Sequence, residues 1–328
     1  MRRTTRYGLM WASLAVVLGL VATTAASAWA QDIDTQTRPR VELSARSWLF
    51  TNGQTTWSHD ASGISPAFGD PTSKLTYKDN NTHIIEFGAK LHLSRRWHLD
   101  GDVGFAIDFD RGRLIDDDYL AGQYLFSRTS SNVTGTGTWY VNGNVGYRAV
   151  EFPNGRGHLD VVGGLRYWQT EYEATGFDRL VCDPAVVISC VPQSSTARAI
   201  TNTSHWITPQ VGINTDYRLT GRLSVGLKAS VTPVSIIYNE DVHHLRGDLR
   251  QDPSFSMWGV GFGGSAEPTV KFMLTRNFAI TAGYRVWWNR TYTGTWEVHS
   301  VASGSQSAPL TEFQTIRHGP TVGLTASF

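Results

Sequence analysis

From about residue 39 onward the pattern along the chain has period two. In the run 97–109 the odd positions Trp97, Leu99, Val103, Phe105, Ile107 and Phe109 are apolar, whereas His98, Asp100, Asp102, Gly104 and Asp108 are polar or small. Leu223, Val225, Leu227, Ala229 and Val231 alternate in the same way with Ser224, Gly226, Lys228, Ser230 and Thr232, and Phe278 to Trp288 repeats the motif. Successive side chains of a strand point to opposite faces, so each such segment turns one face to oil and the other to water or charge.

Short turns read at Ser94-Arg95-Arg96, Pro153-Asn154-Gly155-Arg156, Thr220-Gly221 and Thr275-Arg276-Asn277. Long polar stretches read at 51–71, 113–134, 176–200, 239–254 and 296–311. Between them lie ten predicted strands, at 39–50, 72–93, 97–112, 135–150, 157–175, 202–218, 222–238, 256–274, 278–295 and 312–328. A soluble sandwich also alternates. Long strands whose connections switch strictly between short and long, in an even count, are instead the outer-membrane barrel pattern. Closure leaves no unpaired strand edge in lipid, where unmet backbone groups are costly. The predicted fold class is all-β: a single antiparallel ten-stranded transmembrane β-barrel.

Trp48, Trp97, Trp139, Tyr140, Tyr147, Trp168, Trp206, Tyr217, Trp258 and Trp288 fall on or near predicted strand ends. As a set they suit aromatic belts at the lipid–water boundary. The inward face of the second strand carries Glu86, Lys90 and His92, and that of the third His98, Asp100, Asp102 and Asp108, with Arg166 and Arg285 on later strands. Narrow barrels are filled by side chains, so these charges are expected to pair across a plugged lumen.

The N-terminus changes the picture only by subtraction. Arg2, Arg3 and Arg6 precede an apolar stretch from Leu9 to Ala22, and Ala28-Trp29-Ala30 precedes Gln31. This is a secretory signal pattern, so residues 1–30 are expected to be a signal peptide and 31–328 the barrel. A transmembrane anchor needs about 20 apolar residues, more than this run has. The 29 lysines and arginines, less those three, nearly balance 28 acids, and nothing points to nucleic acid. Cys182 and Cys190 share one polar loop of an exported chain and are expected to form a local disulfide.

Chemistry in a closed barrel belongs at its external mouth, where two clusters stand out. Arg113-Leu114-Ile115-Asp116-Asp117-Asp118-Tyr119 tops the third strand. On an extended chain Asp116 and Asp118 share a side and Asp117 takes the other. Two carboxylates this close cannot both ionise freely, so the pair can hold a proton and a water. An ordinary solvated acidic loop, or a weak calcium site, has the same composition. Asn239-Glu240-Asp241-Val242-His243-His244 tops the seventh strand, and Asp241 and His243 again share a face. A carboxylate beside an imidazole suits a general base, and equally an ordinary surface ion pair. Strands three and seven are four apart in a ring of ten, so their tips can face each other.

This layout resembles the omptins, outer-membrane endopeptidases on a ten-stranded barrel. An Asp-x-Asp pair matches Asp116 and Asp118, and an Asp-x-His dyad matches Asp241 and His243. The segment 73–81 and Ile84-Ile85 resemble the family's second strand, and the terminal aromatic Phe328 resembles the signal read by the barrel-assembly machinery. A looser resemblance is to Protochlamydia-type outer-membrane proteins, regarded as porins. The omptin resemblance implies the outer membrane as location, outer-membrane lipid and an extracellular peptide or protein as partners, no cofactor or metal, and lipopolysaccharide as an activating lipid. Pro66-Ala67-Phe68-Gly69 lacks the acid that the resemblance would place in the first loop. No basic and aromatic cluster for lipopolysaccharide is recognisable around Trp168-Gln169-Thr170-Glu171-Tyr172.

The sequence therefore predicts an omptin-like endopeptidase in which Asp116, Asp118, Asp241 and His243 activate water. The alternative is a non-enzymatic barrel on the same scaffold: a narrow porin, an adhesin or a structural protein. A lipid-modifying enzyme has less support, because the loops show no Ser/His/Asp grouping.

Overall fold

A computed structural model describes residues 41–135 and 137–328. The predicted signal peptide, 1–30, and the first ten residues assigned to the barrel lie outside the described residues. The chain forms β1 (Val41–His59), β2 (Ser73–His92), β3 (Trp97–Leu120), β4 (Tyr124–Thr134), β5 (Trp139–Phe152), β6 (Gly157–Cys182), β7 (Gln193–Arg218), β8 (Leu223–His243), β9 (Phe255–Met273), β10 (Phe278–Ser300) and β11 (Gly304–Ser327). Neighbours pair antiparallel in chain order, and β1 pairs with both β2 and β11, which closes the sheet. Both β4 and β5 lie between β3 and β6 and form two lengths of one strand, so the ring has ten strands. The break falls at Gly135, whose φ of 133° favours glycine and whose missing Cβ would lie 2.6 Å from the Glu171 carbonyl.

One end of the ring carries the four short turns at the positions read from the sequence. At the other end the strands run much farther than alternation indicated. Most of 113–134 is not loop: β3 continues to Leu120, turns through Ala121–Gln123 and returns as β4. The stretch 296–311 is likewise nearly all strand. Beyond the bilayer both faces of a strand can be polar, so the hydropathy alternation fades while the hydrogen-bond ladder continues.

Two zones of opposite polarity result. In the lower zone exposed apolar side chains face outward, including Leu99, Val141, Leu165, Val225, Phe272 and Leu324. On β3 and β10 this band runs from Trp97 to Ile107 and from Phe278 to Trp288, about 11 residues each, close to the 9–11 of a tilted membrane strand. In the upper zone the apolar residues turn inward, and Trp57, Leu75, Leu114, Ile200, Phe255 and Phe313 build a buried core.

The boundary changes two expectations. Trp97, Trp139, Tyr147, Tyr217, Trp258 and Trp288 are exposed or half-buried, as belt residues are, but Trp48, Tyr140, Trp168 and Trp206 are buried inside the ring. Trp48, Tyr140 and Trp168 pack around Trp287 with centroid separations of 4.9, 4.7 and 5.5 Å, a septum across the lumen. Asp108, expected to point inward, is exposed. Irregularities in the β2–β3 register around residues 107–110 leave Ile107 and Asp108 both exposed and turn Phe109 toward Tyr172.

Below the septum the inward charges pair. Arg285 binds Glu86 at 2.6 Å and Glu267 at 2.8 Å, Arg46 also pairs with Glu86, and the Tyr140 hydroxyl donates to Glu86. Tyr140 reaches it by lying over Gly104, where a Cβ would come within 2.3 Å of its ring. Arg166 stacks on Trp287 at 4.0 Å. Arg46, Arg285, Glu86 and Glu267 thus satisfy one another across the narrow interior, whereas Arg166 donates to the Asn142 side chain at 3.1 Å instead of a carboxylate.

Candidate active site

The upper zone opens into a cleft of about 710 Å³ between the strand tips. The β3 tip enters it because β2 and β4 extend the ladder on both sides of the acidic run: Asp116 lies opposite Leu75 and Thr129, and Asp118 opposite Ser73 and Ser127. Asp116 and Asp118 both line the cleft. Asp117, on the other face, is gripped by Arg128, with Nη2 donating at 2.7 Å.

Asp241 and His243 come from the tip of β8. His243 lines the cleft, and Asp241 is fully buried beneath it. Nε2 of His243 lies 3.6 Å from Oδ2 of Asp241, and the His243 ring stands edge-on to Phe255 at 4.7 Å. Neither oxygen of Asp241 has a hydrogen-bond partner among the described residues, nor does Nε2 of His243. Buried polar atoms left bare are costly, and an ordered water is the usual remedy.

The electrostatics tie the two tips together. Burial, reinforced by Asp118 and then Asp241, holds the Asp116 carboxyl well above the usual carboxylate range. Burial also raises Asp118, opposed by hydrogen bonding from Ser73 and by the charge of His243. Such an arrangement favours the protonated form of the acid pair and sets it beside an imidazole. All four residues picked out in the sequence thus gather at one mouth, three on the cleft wall and one directly behind it.

Three further residues stand close to these groups: Ser73 and Tyr77, within the segment 73–81 noted above, and His59, which was not singled out. Ser73 donates to Asp116 at 3.5 Å. Tyr77 is fully buried with its hydroxyl unpartnered, and burial plus the charges of Asp241 and Asp116 push its phenol well above the usual range. His59 stacks flat on Trp296 at 3.8 Å, and burial lowers it to about 4. The alternation of Ser73, Leu75 and Tyr77 contained a signal for the first two, whereas His59 sits in a stretch that reads as polar loop. Among the described residues no group of three His, Cys, Asp or Glu side chains is placed to hold a metal ion. Cys182 and Cys190 form a disulfide at the rim, with Cα atoms 5.8 Å apart.

No family model and no curated protein matches the sequence. Among solved structures, the outer membrane protease OmpT from Escherichia coli superposes with a TM-score of 0.74 at 14% identity, over 90% of this chain and 99% of that one. The translocator domain of the autotransporter NalP from Neisseria meningitidis scores 0.35 at 10% identity, over 99% and 100%. The attachment invasion locus protein Ail of Yersinia pestis scores 0.27 at 7%, over 89% and 100%. The last two scores are too low to bear on the fold. The first shows the architecture of an outer-membrane β-barrel, which the lipid-facing band independently requires, and the outer membrane is the location of this chain.

Proposed function

We propose that the chain is an outer-membrane endopeptidase of omptin-like type, acting on peptides outside the cell. The observation that carries this reading is the convergence of a half-buried acid pair and an Asp–His dyad on one cleft at the barrel mouth. Asp241 orients His243. His243 takes a proton from a water lying between it and Asp116, and the water oxygen attacks the peptide carbonyl. Asp118 shares the proton of the pair and helps carry the charge that develops on the carbonyl oxygen. The proton on His243 then passes to the leaving amine. No covalent intermediate arises on the protein.

The septum and paired lumen charges speak against an open channel as the main role. A purified barrel in detergent, supplied with lipopolysaccharide as the proposed activating lipid, should cleave members of a broad peptide library. Absence of any cleavage, or full activity in His243→Ala, overturns the reading.

A further inference from the structure

The two sides of the cleft differ in chemistry. Pairing partners place Trp57, Leu75, Asp116, Thr129 and Arg179 on one line across five neighbouring strands, and all five line the cleft. At roughly 4.8 Å per strand, Arg179 and Trp57 each stand about 10 Å from Asp116, on opposite sides.

The Trp57 side is mainly apolar, with His59 stacked on Trp296. Ile64, Phe68, Leu75, Phe255 and Trp296 complete a wall around Trp57. The Arg179 side is cationic. Its guanidinium lies over Phe177 at 5.0 Å, donates to Ser127 at 3.3 Å, and leaves Nε buried without a partner. No described carboxylate lies within ion-pair reach of it.

Among the described residues the one carboxylate lining the cleft besides Asp116 and Asp118 is Asp248, and Arg246 holds it at 2.8 and 2.6 Å. A lysine or arginine on a bound peptide therefore meets no free acid other than the reactive pair. An apolar side chain and a carboxylate each meet a complementary wall.

We infer that the cleft selects an extended polypeptide with a large apolar side chain on one side of Asp116 and a carboxylate about three residues away on the other, held by Arg179. The spacing follows from about 3.3–3.6 Å per extended residue. The inference takes its reaction from the peptidase reading, while the binding preference stands by itself.

The test separates the two. Short labelled peptides are titrated into the full-length His243→Ala barrel in detergent, its fold verified by circular dichroism. One peptide carries Phe-Leu at the centre and an Asp about three residues further on, a second replaces that Asp by Asn, and a third carries Arg-Arg in place of Phe-Leu. The Asp peptide should bind about tenfold or more tighter than the dibasic one. Adding Arg179→Gln should abolish the difference between Asp and Asn peptides, and Arg179→Lys should keep part of it. Equal or tighter binding of the dibasic peptide overturns the inference. So does an Asp–Asn difference that survives Arg179→Gln, or the absence of binding by every peptide. If the preferred peptide binds selectively but the wild-type barrel leaves it uncut, the peptidase reading fails and the preference stands.

Discussion

Oδ2 of Asp241 stands 3.6 Å from Nε2 of His243, a contact just too long for a direct hydrogen bond. Catalytic contacts are often long before substrate arrives and tighten in the complex. If the pair acts as proposed, Asp241→Asn and His243→Ala should each lower kcat by about 10²–10⁴, with kcat/KM falling in parallel. Because such residues act as a unit, the double variant should lose little more than the worse single one. Steady-state kinetics on one good peptide decides this.

The acid pair should leave a signature in stability. The Asp116 carboxyl is held above its usual range by burial and by Asp118. The folded state therefore keeps a proton that the unfolded chain releases near pH 4, at about 3.9. That contribution is complete below the unfolded value and is lost as pH rises through the raised one. Asp116→Asn should be more heat-resistant than wild type at about pH 8, with the gain gone at about pH 4. Thermal melts across pH provide the check, and peptide cleavage should be lost at both ends.

His59 should behave in the opposite sense. Burial lowers it to about 4, against a weaker upward pull from Asp60. Its folded value lies below its unfolded value of about 6.5, so the stability it contributes is present above 6.5 and lost as pH falls toward 4. His59→Phe keeps a ring against Trp296 and cannot be protonated. Its melting temperature should fall less than that of wild type between about pH 7 and pH 4.5. Parallel pH profiles overturn the assignment.

The lumen makes a separate prediction. Arg285 is almost fully buried between Glu86 and Glu267. Removing one partner of a buried pair strands the other charge and costs about 3–5 kcal/mol. Arg285→Ala should sharply lower the melting temperature in detergent. The Glu86→Gln, Arg285→Met double variant should recover part of the loss, because it removes both charges.

The residues above the membrane explain where sequence reading stopped. Within the bilayer the outward face must be apolar, so Leu99, Val225 and Ile280 announce both strand and face. Above it that demand ends, and the tips of β3, β4, β10 and β11 read as loop. The register irregularity near Ile107 was equally hidden, because an extra residue in one strand shows only against its partner. The same holds for Trp48 and Trp168, whose rings read as belt residues until the ring closed around Trp287.

By itself the sequence determined the strand-and-turn order, the short-turn end, the outward apolar band and the sharing of a face by Asp116 with Asp118. These are local matters, set by the two-residue repeat of an extended chain. Only the tertiary structure decided that Asp241 is buried behind His243, that both acids enter one cleft, and that Arg179 and Trp57 flank Asp116. Those neighbours lie on strands brought together by closure of the ring. Proximity between residues so distant in the chain follows from register and curvature, which no single segment encodes.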